Sequence, residues 1–350
     1  NIVLKKGKYE GLNANFKING KHNEFNSLNK NFGFTAYGNY KAQDWNVYSS
    51  FNLNNRMRNM TGFRRVETTY FANDILPDSL DFVDFDYNNE SKRLGYSFKI
   101  GSDYSINDHL ELNAEVNYGI HVHSGENKQD IYLPESSQRI TKSEDFNDNY
   151  DIESVVSLIH TFDNPDREFT LSFAKDYEKD RENEMLVHLD NLIDTTYISE
   201  NINKMDIDIS YKHPINDKSK FEFGYDGRIV NNNEEMKFQI SEIDEEEIYN
   251  TFSGENTFGY KRNIHSLFFE YDVALNEKFS IKPSLRYEMV DKEISFEKDL
   301  DDESSEVDII YAELLNSMSD SVYTDSYNMI YPDLHFTYNI TEKQSIQFGL

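Results

Sequence analysis

Leu110-Glu111-Leu112-Asn113-Ala114-Glu115-Val116-Asn117-Tyr118-Gly119-Ile120-His121-Val122-His123 alternates without a break. A period of two puts Leu110, Leu112, Ala114, Val116, Tyr118, Ile120 and Val122 on one face of a strand and the polar residues on the other. The wet face must meet water and the apolar face must meet something else. Two soluble sheets would cover each other's apolar faces. A membrane barrel would turn them to lipid and line a lumen with the polar faces.

The pattern recurs along nearly the whole chain. Leu12, Ala14, Phe16 and Ile18 form one apolar row, and Phe32, Phe34, Ala36 and Tyr40 run into the turn Lys41-Ala42-Gln43-Asp44. Trp45, Val47, Phe51 and Leu53 run back out. Further hairpins turn at Asn107-Asp108, Asp163 to Asp166, Pro214 to Ser219, Asn276 to Lys278 and Thr341 to Gln344, where Asn, Asp and Pro are the expected turn chemistry. The count is about thirteen strands of roughly 9–13 residues, long enough to cross a bilayer at a tilt. The remaining connections, 55–92, 124–150, 178–203, 231–260 and 291–327, are long and rich in Asp, Glu, Asn and Ser. Patches such as Phe82-Val83-Asp84-Phe85 and Ile309-Ile310-Tyr311 could extend strands beyond the membrane. Structureless loops of this length are unusual in a compact soluble domain, whereas short turns on one side and long loops on the other is the outer-membrane arrangement. The expected fold is an all-β, antiparallel, up-and-down transmembrane barrel, incomplete in this chain, with short periplasmic turns and long extracellular loops.

Composition fits that reading. No run approaches the ~20 apolar residues of a spanning helix, and mean hydropathy is −0.75, but barrel strands dilute their apolar residues with lumen-facing polar ones. Phe 25 and Tyr 24 against a single Trp is a heavy aromatic load for so polar a chain, and interfacial girdles would use it. The net charge of −29 argues against nucleic acid as a partner. The absence of cysteine excludes disulfide scaffolds and thiolate metal sites. With no Met at position 1 and no signal-like start, the chain reads as a fragment. Its two unpaired edges predict that it is not stable alone.

The sequence resembles the barrel region of TonB-dependent outer-membrane receptors, especially the Bacteroidetes-type group. Asn1-Ile2-Val3-Leu4-Lys5-Lys6-Gly7 is similar to the close of the plug domain, so residues 1–7 are expected to be its tail and residues 8–350 the first and middle part of the barrel. His160-Thr161-Phe162-Asp163-Asn164-Pro165-Asp166-Arg167-Glu168 is similar to a hairpin common in that group. Asn263-Ile264-His265, Leu285-Arg286-Tyr287-Glu288 and Tyr331-Pro332-Asp333-Leu334 with Tyr338 match other barrel strands in order and spacing. The resemblance implies a barrel of about 22 strands closed around a plug. It also implies a periplasmic TonB partner, contact with outer-membrane lipid and lipopolysaccharide, and uptake of a scarce nutrient. Iron-siderophore is the default cargo, with oligosaccharides, peptides and cobalamin equally compatible. A non-transporting barrel serving adhesion, secretion or assembly, and a passive porin, are the alternatives.

Parity assigns the inner, plug-facing side to Glu111, Glu115, Asp206, Asp208, Glu222, Asp226, Arg228, Arg286 and Glu288, with Tyr48, Lys99, Lys212 and Lys282. Mixed charges suit a wet interior that holds a plug and would not be tolerated in a soluble core. His121 and His123 share that face about 6.5–7 Å apart by strand rise, marginal for one metal and without an identifiable third ligand; as ordinary lumen-lining residues they need no metal. The acidic runs Asp244 to Glu247 and Asp299 to Glu303 lack the glycine and spacing of an EF-hand loop and read as solvated. No cofactor is expected. Neither a Gly-x-Ser-x-Gly elbow nor a His-Glu-x-x-His motif occurs, so no enzymatic activity is expected. Ligand selection is expected at the five long connections.

Overall fold

The computed structural model describes residues 10–21, 31–70, 79–132, 138–187, 192–244, 247–300, 319–341 and 344–349. The expected plug tail, residues 1–7, lies outside them, as do Ile309 to Tyr311 and most of the acidic run after Asp299. The strands are β1 (Gly11–Gly20), β2 (Phe32–Ala42), β3 (Trp45–Tyr70), β4 (Ser79–Asn107), β5 (Leu110–Tyr132), β6 (Gln138–Thr161) and β7 (Glu168–Val187). They continue as β8 (Leu192–Asn216), β9 (Ser219–Asp244), β10 (Glu247–Ala274), β11 (Phe279–Leu300), β12 (Ser321–Thr341) and β13 (Gln344–Gly349). All belong to one 13-stranded sheet in which each strand pairs antiparallel with its sequence neighbours. Among the described residues, thirteen antiparallel up-and-down strands without a helix are the open form of the expected barrel.

The strands are longer than the hydrophobic alternation predicts. β4 has 29 residues, β10 has 28 and β7 has 20. Much of what reads as long connection is ladder: Arg64 pairs with Phe85, Lys128 with Lys142, and Thr257 with Glu235. The reason is that apolar spacing measures only the stretch whose outer face must avoid water. Backbone pairing continues as long as neighbours supply partners, whatever the side chains.

Cross-strand rows show how the two faces differ. Trp45, Tyr104, Leu112, Leu158, Leu171, Ile209, Tyr225, Leu267, Tyr287 and Ile330 stand directly opposite one another in succession from β3 to β12. Every member is apolar or aromatic. The row shifted by one residue reads Asn46, Asp103, Asn113, Ser157, Ser172, Asp208, Asp226, Ser266 and Glu288. Every member of that row is polar. The apolar row starts beside the tight turn at Trp45 and climbs to Ile330, far from the turn that ends β12. Such a stagger is the shear that tilts barrel strands.

Among the described residues, no second layer covers the apolar rows. Leu267 is 55% exposed, Leu285 49% and Phe223 48%. Among the described residues, the only buried apolar side chains are Phe238, Phe252 and Val290. A soluble sandwich would bury these rows, so lipid is the solvent that fits them. The sheet also curls. β4 and β11 would lie about 34 Å apart in a flat sheet at about 4.8 Å per strand, yet Glu90 of β4 and Asp299 of β11 line one cavity of ≈ 870 Å³.

Four of the tight turns share one device. Asn107, Asn164, Asn216 and Asn276 each accept, through the side-chain oxygen, a backbone N–H two residues on: His109 at 2.8 Å, Asp166 at 3.0 Å, Lys218 at 2.9 Å and Lys278 at 2.9 Å. An Asx turn supplies the partner that the ladder cannot where the chain reverses.

Candidate functional site

Two regions carry the polar chemistry: the inner face within the lipid band, and the wall of the ≈ 870 Å³ cavity beyond it.

On the inner face, Tyr48, Gly101 and Glu115 are directly aligned on β3, β4 and β5. A Cβ at Gly101 would come within 2.4 Å of Tyr48 Cζ. Glycine there lets the phenol lie across β4 and donate to Glu115 at 2.9 Å. Lys99 Nζ donates to the other carboxylate oxygen at 2.6 Å. Glu111 lies on the same face, four residues nearer the turn.

A second network spans β8 to β11. Arg228 Nε donates to Asp206 at 2.7 Å. Asp208 stands opposite Asp226, and Asp226 accepts Arg286 Nη1 at 2.5 Å. Arg286 also donates through Nη2 to Ser266 Oγ at 2.7 Å and through Nε to Glu288 at 3.3 Å. Ser266 is wholly buried and donates to Glu288 at 3.3 Å. Nearer the turns, Glu222 shares a pocket of ≈ 100 Å³ with Lys212, Lys220, Glu270, Asp272 and Lys282, where Lys282 meets Glu270 at 2.5 Å. Lys99–Glu115, Arg228–Asp206, Arg286–Asp226 and Lys282–Glu270 thus neutralise one another laterally, strand to strand.

His121 and His123 share the inner face and border a ≈ 620 Å³ cavity with Asn52, Asn54, Arg56 and Arg93. Both His123 ring nitrogens are engaged, Nδ1 with Asp145 at 2.9 Å and Nε2 with Ser91 Oγ at 3.0 Å. His121 packs over Gly95, where a Cβ would stand 2.8 Å from its Nδ1. Among the described residues, no three His, Asp or Glu side chains converge as a metal site. The side chains of the run Asp244 to Glu247 lie outside the described set.

The larger cavity follows one cross-strand row, Gly125, Asp145, Glu184, Thr196, Phe238 and Gly254, and the residues flanking it. The residues that border it include seven acids, Glu90, Glu126, Glu144, Asp145, Glu184, Glu255 and Asp299, and two lysines, Lys92 and Lys237. Lys237 lies 2.8 Å from Glu235 and 3.1 Å from Glu255, and these carboxylates hold its pKa above the ordinary lysine value. Lys92 is likewise raised by Glu90 at 2.7 Å. On neighbouring strands Arg65 grips Asp84 through two bonds of 2.6 and 2.7 Å and lowers its carboxyl pKa, whereas burial raises that of Asp180.

Parity assigned the nine residues to one face; the register sets Asp206 opposite Arg228, Asp208 opposite Asp226 and Ser266 opposite Glu288. It did not single out Ser266 as a hub, because a serine between Phe268 and Ile264 carries no signal beyond its even position on β10. The cavity wall was hidden because Phe146, Tyr197, Lys237 and Glu255 fall in segments that read as connections.

A search of curated proteins finds no match. Among solved structures, the chain is similar to the Pseudomonas putida toluene transporter TodX, at 8% identity over 94% of this chain and 88% of that one, with a TM-score of 0.27. It is similar to the siderophore receptor PiuA from Acinetobacter baumannii at 7% identity, 98% and 77% coverage and TM-score 0.32. It is similar to the pyoverdine outer-membrane receptor FpvA from Pseudomonas aeruginosa PAO1 at 7% identity, 98% and 74% coverage and TM-score 0.28. The family model for outer membrane protein beta-barrels matches residues 160–350, more than half of the chain. The chain is a member of the outer membrane protein beta-barrel family, and its place is the bacterial outer membrane.

Proposed function

We propose that this chain forms part of the wall of a TonB-dependent receptor that imports a scarce nutrient, iron-siderophore by default, through a plugged barrel. The supporting observation is the pair of adjacent rows, an apolar one running from β3 to β12 and a polar one running from β3 to β11. Such rows make a wall between lipid and a wet interior. On the wet side, Lys99–Glu115, Arg228–Asp206 and Arg286–Asp226 neutralise one another. A wall of paired charges presents hydrogen-bond donors and acceptors to a plug while weakening the field that an ion-conducting pore would use. The staggered extensions beyond the lipid band hold the ≈ 870 Å³ cavity, large enough for a small-molecule ligand at the entrance. The role is transport, with no chemical step: plug movement, driven through the TonB complex, releases cargo inward.

The test is deletion of the complete gene followed by growth on limiting iron, cobalamin, oligosaccharide or peptide. A defect confined to one nutrient, repeated when TonB is removed, supports the reading. Steady conductance of the complete protein in a planar bilayer would favour a passive porin and overturn it.

A further inference from the structure

We propose that the surface around Arg167 binds the phosphate of a glycerophospholipid headgroup at the short-turn edge of the lipid band.

Arg167 closes the β6–β7 hairpin. Its backbone N–H donates to Asn164 O at 2.9 Å, and its carbonyl accepts Phe162 N–H at 3.1 Å, so its Cα is fixed by the turn. The guanidinium carbon lies 4.0 Å over the Phe162 ring centre and 5.6 Å from that of Tyr211. Nε donates to Tyr211 Oη at 2.7 Å. Guanidinium has five N–H donors, and this contact uses one. Arg65, Arg181, Arg228 and Arg286 all grip carboxylates. Among the described residues, no carboxylate lies within ion-pair distance of Arg167, in a chain with 64 Asp and Glu. Of the nearby acids, Glu168 meets Lys212 at 3.4 Å and Asp163 meets His109 at 3.5 Å, while Asp166 is exposed and makes no ion pair with Arg167.

The face is the outer one. Phe162 and Tyr211 continue the parity of Leu158, Leu171 and Ile209, and their rings belong to a chain of contacts through Phe221 to Phe269. Aromatic side chains at the end of an apolar band sit at headgroup level. His160 stands edge-on to Phe162 at 4.4 Å, and His213 Nδ1 lies 3.2 Å from Tyr211 Oη. The anion that occupies this layer is lipid phosphate. A planar guanidinium held by its face against aromatic rings presents its edge, the geometry that meets phosphate oxygens in pairs. The acyl chains would lie along Phe169, Leu171 and Phe223.

The test uses the complete gene product in detergent, with native mass spectrometry counting retained lipid. Phosphatidylglycerol and a diacylglycerol of the same chains are offered in parallel, with and without excess inorganic phosphate. The expected result is retention of phosphatidylglycerol over diacylglycerol by about tenfold, the size of one charge-assisted contact. Arg167→Gln should abolish that preference, and Phe162→Leu should weaken it, with the heat-shifted gel mobility of a folded barrel retained. Equal retention of the two lipids by the unaltered protein would overturn the proposal. So would an unchanged preference in a folded Arg167→Gln variant, or binding of inorganic phosphate that displaces the lipid completely. If Arg167→Gln does not fold, the comparison of the two lipids on the unaltered protein still decides.

Discussion

Replacing Phe269 by Arg tests directly whether lipid is the solvent of the outer rows. Phe269 is 48% exposed and stands between Phe223 on β9 and Leu285 on β11, both outward and apolar. Along β10 the outer face is apolar or aromatic from Val273 to His265 and becomes polar at Asn263 and Lys261. Those residues span about 26 Å along the strand at about 3.3 Å per residue, or about 20 Å along the membrane normal at a tilt near 40°. Phe269 is four residues from Val273, at about half that height. A cation at mid-depth costs about 2–4 kcal/mol on the lipid face of a barrel. At about 3 kcal/mol the folding equilibrium falls by roughly 150-fold. Thr257 is on the same strand and the same face, exposed and beyond the band. Arg there should change stability by less than about 0.5 kcal/mol, as exposed substitutions do. The assay is urea unfolding of the complete protein in phospholipid vesicles, comparing Phe269→Arg, Thr257→Arg and a conservative Phe269→Leu. Equal effects of the two arginines, or a Phe269→Arg variant as stable as its parent, would refute lipid as the solvent of these rows.

Three further outcomes are expected. Trp45, the only tryptophan, is 50% exposed and stacked on Tyr104 at 4.2 Å beside the β2–β3 turn, so its fluorescence should be quenched more by lipids brominated near the headgroup than near the chain end. Arg286→Met should strand Asp226 opposite Asp208 and destabilise the complete protein by about 1–3 kcal/mol, with Asp226→Asn restoring part of the loss in a double-mutant cycle. The depressed pKa of Asp84 means that its pair with Arg65 stabilises the β3–β4 extension fully above the unfolded-state carboxyl value of about 3.9. That contribution is lost as pH falls through the lower folded value. Limited proteolysis should therefore separate Arg65→Gln from its parent at neutral pH and find them alike once Asp84 is protonated in both.

Much of the architecture was legible before any coordinates. Alternation such as Leu110 to Val122 gave strand existence and face together, because one residue's step reverses the side chain. Asn at four of the tight turns was legible because its side chain supplies the local acceptor that a reversing backbone lacks. Strand ends were not. Asp84, Lys142 and Lys237 belong to polar stretches where neither face is constrained by lipid, so no periodicity marks them as sheet. Pairing was invisible for another reason. Asp226 could have met Arg228, its near neighbour on the same face, yet the register gives Arg228 to Asp206 and brings Arg286 to Asp226 across β10.

From the residues alone follow the strand class, the two faces, the turn positions and the presence of an apolar belt, since each depends on neighbours within a few positions and on a single solvent boundary. Only the assembled sheet decided the stagger of the rows, the length of the strands beyond the lipid, the partner of each inner charge and the isolation of Arg167 on its aromatic platform. Those depend on which residues of adjacent strands come level, and that alignment is set by shear accumulated over many strands.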